Sequence, residues 1–336
     1  MEARARILSV VVPVYFEEAV IEAFYRRACE ALAALDPEFQ IELIFVNDGS
    51  TDRTLEILLS LREQDPRVKV LHFSRNFGHQ IAVTAGLDHA EGDVVVVIDA
   101  DLQDPPEVII EMLGKWREGY KVVYGVRAER KGETAFKLWT ARIFYRLLSK
   151  LSDVRIPLDT GDFRLMDRVV VEGLRSMPEE SRYIRGMVSW LGYRQCGLPY
   201  VRDARFAGKT KYTLRKMVRF AFNGITSFSE KPLILAGWMG VLASCVGFAY
   251  LVYILVGKFL SPTSVVSGWA SLMGVVIFFG GIQLLSMGIL GQYIGRIYRE
   301  SKHRPLYILE ALGESGSDAS APASGSLGAP PNSRPR

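Results

Sequence analysis

The sequence is poor in the residues that build metal–thiolate sites and disulfide frameworks. Its 336 residues include only 3 cysteines and 4 histidines, and none of them stand at the short spacings of a zinc site. Free thiols in a reducing compartment are therefore expected. His79, in Asn76-Phe77-Gly78-His79, is accordingly interpreted as a loop residue and not as a ligand.

Two familiar glycine-rich nucleotide motifs are also missing. No Gly-x-Gly-x-x-Gly follows the first predicted strand, and no Gly-x-x-x-x-Gly-Lys-Ser/Thr occurs in the chain. These motifs bring backbone N–H groups close to phosphates in dinucleotide-binding folds and in P-loop NTPases. Their absence disfavours both classes.

Charge is absent from two long segments near the C-terminal end. No charged residue lies between Lys231 and Lys258, or between Lys258 and Arg296. The apolar stretches 233–256 and 269–294 each exceed the ~20 residues that a helix needs to cross a bilayer, which predicts two transmembrane helices. Basic residues flank the pair while the loop carries only Lys258, so both flanks are predicted to be cytoplasmic. This clustered charge favours anionic lipid or phosphate ligands over nucleic acid.

The chain is expected to have three parts. Residues 1–228 form a cytoplasmic domain, 229–300 a two-helix membrane region, and 301–336 a cytoplasmic tail that is disordered from about 313, where Gly, Ser, Ala and Pro dominate. Alternating strands and helices in the first part predict an α/β domain with a mostly parallel sheet, and Pro13 is expected to end its first strand. Strands are predicted over 7–12, 41–46, 68–73 and 94–98, and helices over 19–35, 54–64, 81–89 and 108–118.

The fourth predicted strand, Val94–Ile98, runs directly into carboxylates. Asp99 and Asp101 follow it, and open α/β sheets bind ligands at the carboxyl ends of their strands. Carboxylate oxygens suit Mg²⁺ or Mn²⁺ held against a diphosphate. A solvated acidic turn would look the same in isolation. However, two other predicted strands also end in polar pairs, and their convergence on one edge favours a nucleotide site: Tyr15 with Glu17, and Asn47 with Asp48.

Six segments of the sequence stand out as motifs: Val12-Pro13-Val14-Tyr15-Phe16-Glu17-Glu18, Val46-Asn47-Asp48-Gly49-Ser50-Thr51-Asp52, Asp99-Ala100-Asp101-Leu102-Gln103-Asp104-Pro105, Tyr124-Gly125-Val126-Arg127, Thr160-Gly161-Asp162-Phe163-Arg164-Leu165-Met166 and Arg205-Phe206-Ala207-Gly208-Lys209-Thr210-Lys211-Tyr212. Taken together and in this order, they resemble the motifs of family 2 glycosyltransferases. They narrow to the polyprenyl-phosphate glycosyltransferases, which include dolichol-phosphate mannose synthases and bacterial undecaprenyl-phosphate glucosyltransferases. The resemblance covers about residues 7–300 and implies a GT-A-like, mostly parallel sheet with flanking helices, followed by interfacial helices and two transmembrane helices.

The resemblance implies a membrane-bound, inverting enzyme that uses Mg²⁺ or Mn²⁺. It would transfer one sugar, expected to be glucose from UDP-glucose, to undecaprenyl phosphate at the cytoplasmic face of the plasma membrane. GDP-mannose as donor stays open, as does a non-catalytic membrane adaptor. A processive polysaccharide synthase is disfavoured because no Gln-x-x-Arg-Trp occurs. Related proteins associate through their membrane helices, so a homo-oligomer such as a tetramer is a further expectation.

The same resemblance assigns residues to the donor. Pro13, Tyr15 and Glu17 are expected to contact the nucleoside, and Asp48 its base. Asp101, helped by Gln103, is expected to hold the metal, while Asp99 contacts the ribose or the metal. Arg205 and Lys211 are expected to contact the diphosphate. Two alternatives stay open. Glu17 could instead cap the helix that follows it, and the basic segment around Arg205 could contact anionic lipid.

Two basic residues and one further acid are predicted to contact the acceptor phosphate and the sugar. Arg127 ends an apolar run and is expected to hold the acceptor phosphate, because a guanidinium matches phosphate oxygens in pairs. The resemblance adds Arg142 as a second holder of that phosphate. It also implies that Asp162 lies near the sugar, as general base or as holder of a hydroxyl. Helix 136–151, which carries Arg142, lies either at the membrane surface or against the sheet. Asp104 is interpreted as a helix cap.

Overall fold

A single mixed sheet organises the fold. The computed structural model describes residues 5–35, 38–127, 160–180, 182–202, 231–260 and 269–312. Within these residues the sheet has seven strands, in the order β3-β2-β1-β4-β6-β5-β7. The strands are β1 (Arg6–Val14), β2 (Phe39–Asn47), β3 (Val68–His72), β4 (Val94–Val97), β5 (Val122–Arg127), β6 (Thr160–Asp167) and β7 (Gln195–Tyr200).

The predicted parallel arrangement is confirmed. Strand β1 lies between β2 and β4 and pairs with both in parallel, and β3 extends the parallel set beyond β2. Strand β6 runs antiparallel to β4 and β5, while β5 and β7 are parallel to each other. The sheet is thus mostly parallel with one reversed strand. This strand, β6, lies between β4 and β5 and carries Asp162 near its first residue.

The helices flank this sheet. Four of those in the first part of the chain fall where periodicity predicted them, within a few residues at each end. The described helices are α1 (Ile21–Leu32, followed by a 3₁₀ turn over Ala33–Leu35), α2 (Thr54–Gln64), α3 (His79–His89), α4 (Val108–Arg117), α5 (Arg168–Arg175), α6 (Ile184–Trp190), α7 (Lys231–Leu260) and α8 (Trp269–Glu300).

The expectation that Pro13 ends the first strand is wrong, since β1 continues through Pro13 to Val14. The carbonyl of Val11 accepts from Ile98 on the β4 side, and that of Val14 accepts from Asp48 on the β2 side. Residues two apart face the same side, so the nitrogen of Pro13 faces the β4 side. Pairing with β4 ends at Val11, and the missing N–H therefore costs no ladder bond.

Apolar side chains fill both faces of the sheet. Val10 and Val12 face the layer that contains α1 and α4, while Val11 faces the layer that contains α3. Helix α3 lies so close to β1 that a Cβ on Gly86 would come within 2.1 Å of Val11 Cγ1. Burial on both faces explains the continuous apolar runs of the strands. It also makes the strand ends rigid supports for polar side chains.

Helices α7 and α8 are 30 and 32 residues long and contact each other. In the part of the chain that the structure describes, no helix meets the combined length and apolarity of a membrane span. The two predicted transmembrane helices are therefore not confirmed. They stay a prediction from the sequence, as do the predicted domain limits.

The chain returns to the sheet after α8. Residues 301–312, here called the C-terminal strap, form an antiparallel bridge between Leu309 and Phe73 at the outer edge of β3. Tyr307 stacks on Phe73 with ring centroids 5.3 Å apart and donates a hydrogen bond to Asp88 at 3.2 Å. The strap thus joins the end of α8 to the sheet. The predicted disorder from about 313 lies outside the described residues.

Candidate active site

The predicted acids converge on one edge of the sheet. Asp99 and Asp101 follow β4, and Asp162 lies on the neighbouring β6 close to Arg164, which pairs with Val97 at the end of β4. Because β6 is antiparallel, its first residues lie at the edge where the parallel strands end. The structure therefore brings Asp99 and Asp162 together although 63 positions separate them in the sequence.

Asp162 is held by three donors. Arg185 Nε donates to its Oδ1 at 2.8 Å, while Gln80 Nε2 lies 3.1 Å and His79 Nε2 3.0 Å from its Oδ2. Burial alone would raise the pKa of Asp162, but the charge of Arg185 and the hydrogen bonds from His79 and Arg185 hold it well below the usual range. A carboxylate this well neutralised is a weak proton acceptor. The geometry therefore supports a positioning role over a general base.

His79 was missed by the sequence interpretation. It is not an ordinary loop residue: it begins helix α3, and its Nε2 lies 3.0 Å from Asp162 and 3.8 Å from Asp99. Desolvation opposes the charged ring, but the hydrogen bond to Asp162 and the charges of Asp99 and Asp162 raise the pKa of His79 to about 9. The available signal was position, because His79 directly follows the turn after a parallel strand.

Asp99 has the opposite electrostatic setting. Desolvation raises the pKa of its carboxyl to about 6; His79 opposes this rise, and the carboxylates of Asp162, Asp104 and Asp101 add to it. Crowded carboxylates at a strand end are stabilised by added positive charge. The site as a whole is therefore suited to a cationic ligand or to protonation of Asp99.

Asp101 lies in a tight turn beside this group. Its Oδ1 accepts from the backbone N–H of Gln103 at 3.1 Å, and Leu102 between them has a positive φ of 58°. Among the described residues, no three His, Cys, Asp or Glu side chains form a group that could hold a metal ion unaided. A cation at Asp99 and Asp101 would therefore also need ligands such as Gln103, water or phosphate oxygens.

The interpretation of Asp104 as a helix cap is wrong. Its carboxylate is fully buried and accepts hydrogen bonds from the hydroxyl of Tyr200 and, at 3.2 Å, from Arg202 Nε. The N-terminal cap position of α4 is Glu107, whose side chain makes no capping bond. The second oxygen, Asp104 Oδ2, has no hydrogen-bond partner among the described residues. Asp104 thus links the acidic turn to the end of β7.

Asp48 is buried and binds the chain that leads into α3. Its oxygens accept from the backbone N–H groups of Phe77 and Gly78 and from Asn76 Nδ2, at 2.7 to 3.2 Å. Burial raises the pKa of Asp48, and the amides of Phe77 and Gly78 oppose that rise. Asp48 therefore anchors the loop that delivers His79. The expected contact with a base stays a prediction.

The turn after β1 presents aromatic side chains at the same edge. Tyr15 and Phe16 are 42% and 40% exposed, with ring centroids 4.3 Å apart, and Phe16 has a positive φ of 57°. The backbone N–H of Glu17 donates to Thr54 Oγ1 at 3.1 Å, which ties this turn to α2. The exposed Tyr15 suits the predicted nucleoside contact, whereas Pro13 is buried within β1.

The basic residues predicted for the two phosphates cannot be placed. Arg142, Arg205 and Lys211 lie outside the described residues, and of Arg127 only the backbone, paired with Tyr200 at the end of β5, is described. Their assigned roles stay predictions.

Comparison with known proteins adds sequence relatives over nearly the whole chain. Residues 9–175 match the family model described as "Glycosyl transferase family 2". The chain is 55% identical to the uncharacterized glycosyltransferase YkcC of Bacillus subtilis, covering 90% of this chain and 93% of the relative. It is 43% identical to the bactoprenol glucosyl transferase of Shigella phage SfV, covering 90% and 98%.

Solved structures resemble the chain more distantly. A glucosyl-3-phosphoglycerate synthase from Mycobacterium tuberculosis, solved with Mn²⁺, UDP-glucose and phosphoglyceric acid, is 22% identical over 66% of this chain and 78% of that one, with a TM-score of 0.41. A likeness at that level says nothing about the ligands or the reaction of this chain.

Proposed function

We propose a specific reaction for this chain, which belongs to glycosyl transferase family 2 and is a glycosyltransferase. It transfers one glucose from UDP-glucose to a polyprenyl phosphate with inversion at the anomeric carbon. The observation that carries the proposal is the meeting of Asp99, Asp101 and Asp162 at the carboxyl edge of the sheet. The name of the Shigella phage relative, bactoprenol glucosyl transferase, supports the acceptor and the sugar.

A nucleotide diphosphate carries concentrated negative charge as it leaves, and the acidic edge would repel it unaided. The donor set fits a hard divalent cation, because it offers carboxylate oxygens. Burial raises the pKa of Asp99, and the neighbouring carboxylates add to that rise. Asp101 with Gln103, and Asp99 beside them, would hold Mg²⁺ or Mn²⁺. The bound ion would supply charge neutralisation on the diphosphate.

The acceptor phosphate needs little help from a base. A phosphate monoester is already largely ionised at neutral pH, since its second pKa is ~6. What the reaction needs is alignment of the attacking oxygen with the sugar carbon. Asp162, fixed by Arg185, Gln80 and His79, is rigid enough to hold a sugar hydroxyl in place. Arg127 and Arg142 are the proposed holders of the acceptor phosphate.

A polyprenyl acceptor places the enzyme at a membrane, and we propose that α7 and α8 lie in it with the sheet on the cytoplasmic side. Large apolar side chains are exposed along both helices, including Trp238, Phe248, Tyr253 and Leu284 at 67% to 74%. Exposure of that size is costly in water and favourable in lipid. The absence of charge from both segments points the same way.

The test is a transfer assay with purified full-length protein in detergent. Labelled UDP-glucose, UDP-N-acetylglucosamine and GDP-mannose are offered with undecaprenyl phosphate, with and without Mn²⁺, and the product is identified by mass and anomeric configuration. The proposal expects a β-linked glucosyl phospholipid formed only with the metal. Transfer from GDP-mannose alone would overturn the donor assignment, and no transfer from any donor would overturn the function.

A further inference from the structure

The guanidinium of Arg202 lies close to Asp101, the acid that is predicted to bind the metal. Arg202 follows strand β7 by two residues, and its Nη2 lies 3.8 Å from Asp101 Oδ2. Its Nε is closer to Asp104 Oδ1, at 3.2 Å. The side chain of Arg202 is only 24% exposed. The guanidinium therefore bridges the two acids of the turn, with the firmer contact on Asp104.

Asp104 is well suited to keep Arg202 at the site. Its side chain is 1% exposed, and its Oδ1 also accepts from Tyr200, so the anchoring oxygen is fixed from two directions. A buried carboxylate needs positive charge or hydrogen bonds close by, and its other oxygen has no partner among the described residues. Asp104 therefore retains the guanidinium more strongly than Asp101, which is 21% exposed and 3.8 Å away.

We propose that Arg202 is a positioning residue that neutralises Asp101 while the donor site is empty and contacts the donor diphosphate once a divalent cation has taken its place on Asp101. The inference rests on the proposed function. A guanidinium can form paired hydrogen bonds with carboxylate and with phosphate oxygens, so it can exchange one for the other without leaving Asp104. Arg202 also precedes Arg205, a predicted diphosphate ligand, by only three residues.

If the proposal is right, replacing Arg202 should change the affinity for Mn²⁺ and the affinity for UDP in opposite directions. In the R202Q variant a competing charge is lost, so Mn²⁺ should bind the donor-free protein about 3- to 5-fold more tightly, as expected for loss of a loose ion pair. A phosphate contact is lost as well, so UDP should bind about tenfold more weakly at saturating Mn²⁺. A purely structural role would weaken both.

The experiment uses full-length protein in detergent. Free Mn²⁺ is measured by electron paramagnetic resonance without nucleotide, and UDP binding by calorimetry at saturating Mn²⁺. R117Q is the matched control, because it also removes one arginine charge. Arg117 lies at the end of α4 and forms an exposed ion pair with Glu38, so its replacement should change neither value. R202K keeps the charge without the two-ended guanidinium. It should bind Mn²⁺ within twofold of the wild type and UDP more weakly.

The outcomes separate the inference from the function beneath it. Unchanged or weaker Mn²⁺ binding by R202Q, or undiminished UDP binding, overturns the role of Arg202. Should R202Q fail to fold, as judged by thermal unfolding, R202K decides, and wild-type UDP affinity in that variant overturns the proposal. A wild-type protein that binds Mn²⁺ but does not transfer sugar contradicts the proposed function instead.

Discussion

Arg185 donates to Asp162 across 2.8 Å, and this ion pair joins helix α6 to strand β6 at the edge of the sheet. The side chains of Arg185 and Asp162 are 24% and 10% exposed, so water shields them little. Removing one partner of such a pair leaves the other charge poorly compensated. The orientation of Asp162 therefore depends on Arg185.

The first prediction concerns that dependence. Arg185→Gln should lower kcat for sugar transfer at least tenfold, because Asp162 loses its strongest donor and no longer holds the sugar in one orientation. Arg185→Lys should recover part of the loss. The measurement is steady-state transfer, with thermal unfolding to show that the variants are folded. A folded Arg185→Gln enzyme with wild-type kcat would contradict the prediction.

The second prediction concerns the ionisation of Asp162. The pKa of Asp162 is held well below its usual range, so the carboxylate stays ionised at every pH from 6 to 8.5. Its hydrogen bond and its charge raise the pKa of His79, so Asp162→Asn should lower the pKa of His79. Nuclear magnetic resonance of the His79 ring at several pH values, in the wild type and in the variant, measures this change. An unchanged pKa of His79 in a folded variant would contradict the prediction.

A third prediction tests the metal. Asp101→Asn should weaken Mn²⁺ binding about tenfold or more and abolish most of the transfer, because an amide oxygen is a poorer ligand for a hard cation than a carboxylate. Glu118→Gln removes one exposed carboxylate paired with Lys115 and serves as the control. Undiminished transfer by the Asp101→Asn enzyme would remove Asp101 from the metal site.

The fourth prediction concerns stability away from the site. The hydrogen bonds from Arg67 outweigh burial and lower the pKa of Asp65 to about 2, with the hydroxyl of Tyr25 contributing at 2.8 Å. A carboxyl whose pKa is lowered on folding stabilises the fold at pH values above its unfolded pKa of ~3.9. That stabilisation is lost as the pH falls toward 2.

Asp65→Asn should therefore lower the free energy of unfolding at pH 7 by about 1–2 kcal/mol, since Arg67 is partly exposed and its charge is screened. The difference from the wild type should shrink as the pH is lowered from 4 to 2.5. Urea titrations at several pH values would measure it. A difference that is the same at pH 3 and pH 7 would rule out the ion pair as its source.

The last prediction concerns the C-terminal strap. Tyr307→Phe keeps the ring stack on Phe73 and loses the hydrogen bond to Asp88, so it should cost about 0.5–1.5 kcal/mol. Tyr307→Ala also loses the stack and should cost about 2–3 kcal/mol. Equal losses in the two variants would show that the stack contributes nothing.

Much of the fold is readable in the sequence because the parallel strands are buried on both faces. Runs such as Val94–Ile98 have no polar residue, so their position and type follow directly. Strand β6 was not predicted as a strand. Its sequence, Thr160–Asp167, contains two aspartates and an arginine at buried positions. Part of the cost of burying them is met by partners distant in the chain, such as Arg185 for Asp162.

The site shows the same limit. Asp99, Asp101 and Asp162 were identified by motif, because each lies in a short segment that resembles those of family 2 glycosyltransferases. His79 and Arg185 were not, since their importance lies in which carboxylate they reach after folding. Asp104 was assigned to a helix cap because the tyrosine and arginine that hold it lie 96 and 98 residues away.

Pairing of the C-terminal strap has a consequence for handling the protein. The outer strand of a sheet presents unpaired N–H and C=O groups, which can recruit another chain and lead to aggregation. Here the N–H of Ser74 donates to Ile308 and the N–H of Glu310 donates to His72, so the strap covers the C-terminal end of the outer edge of β3. Truncation ahead of Tyr307 would uncover it and reduce solubility, whereas removal of residues 313–336 would leave the strap in place.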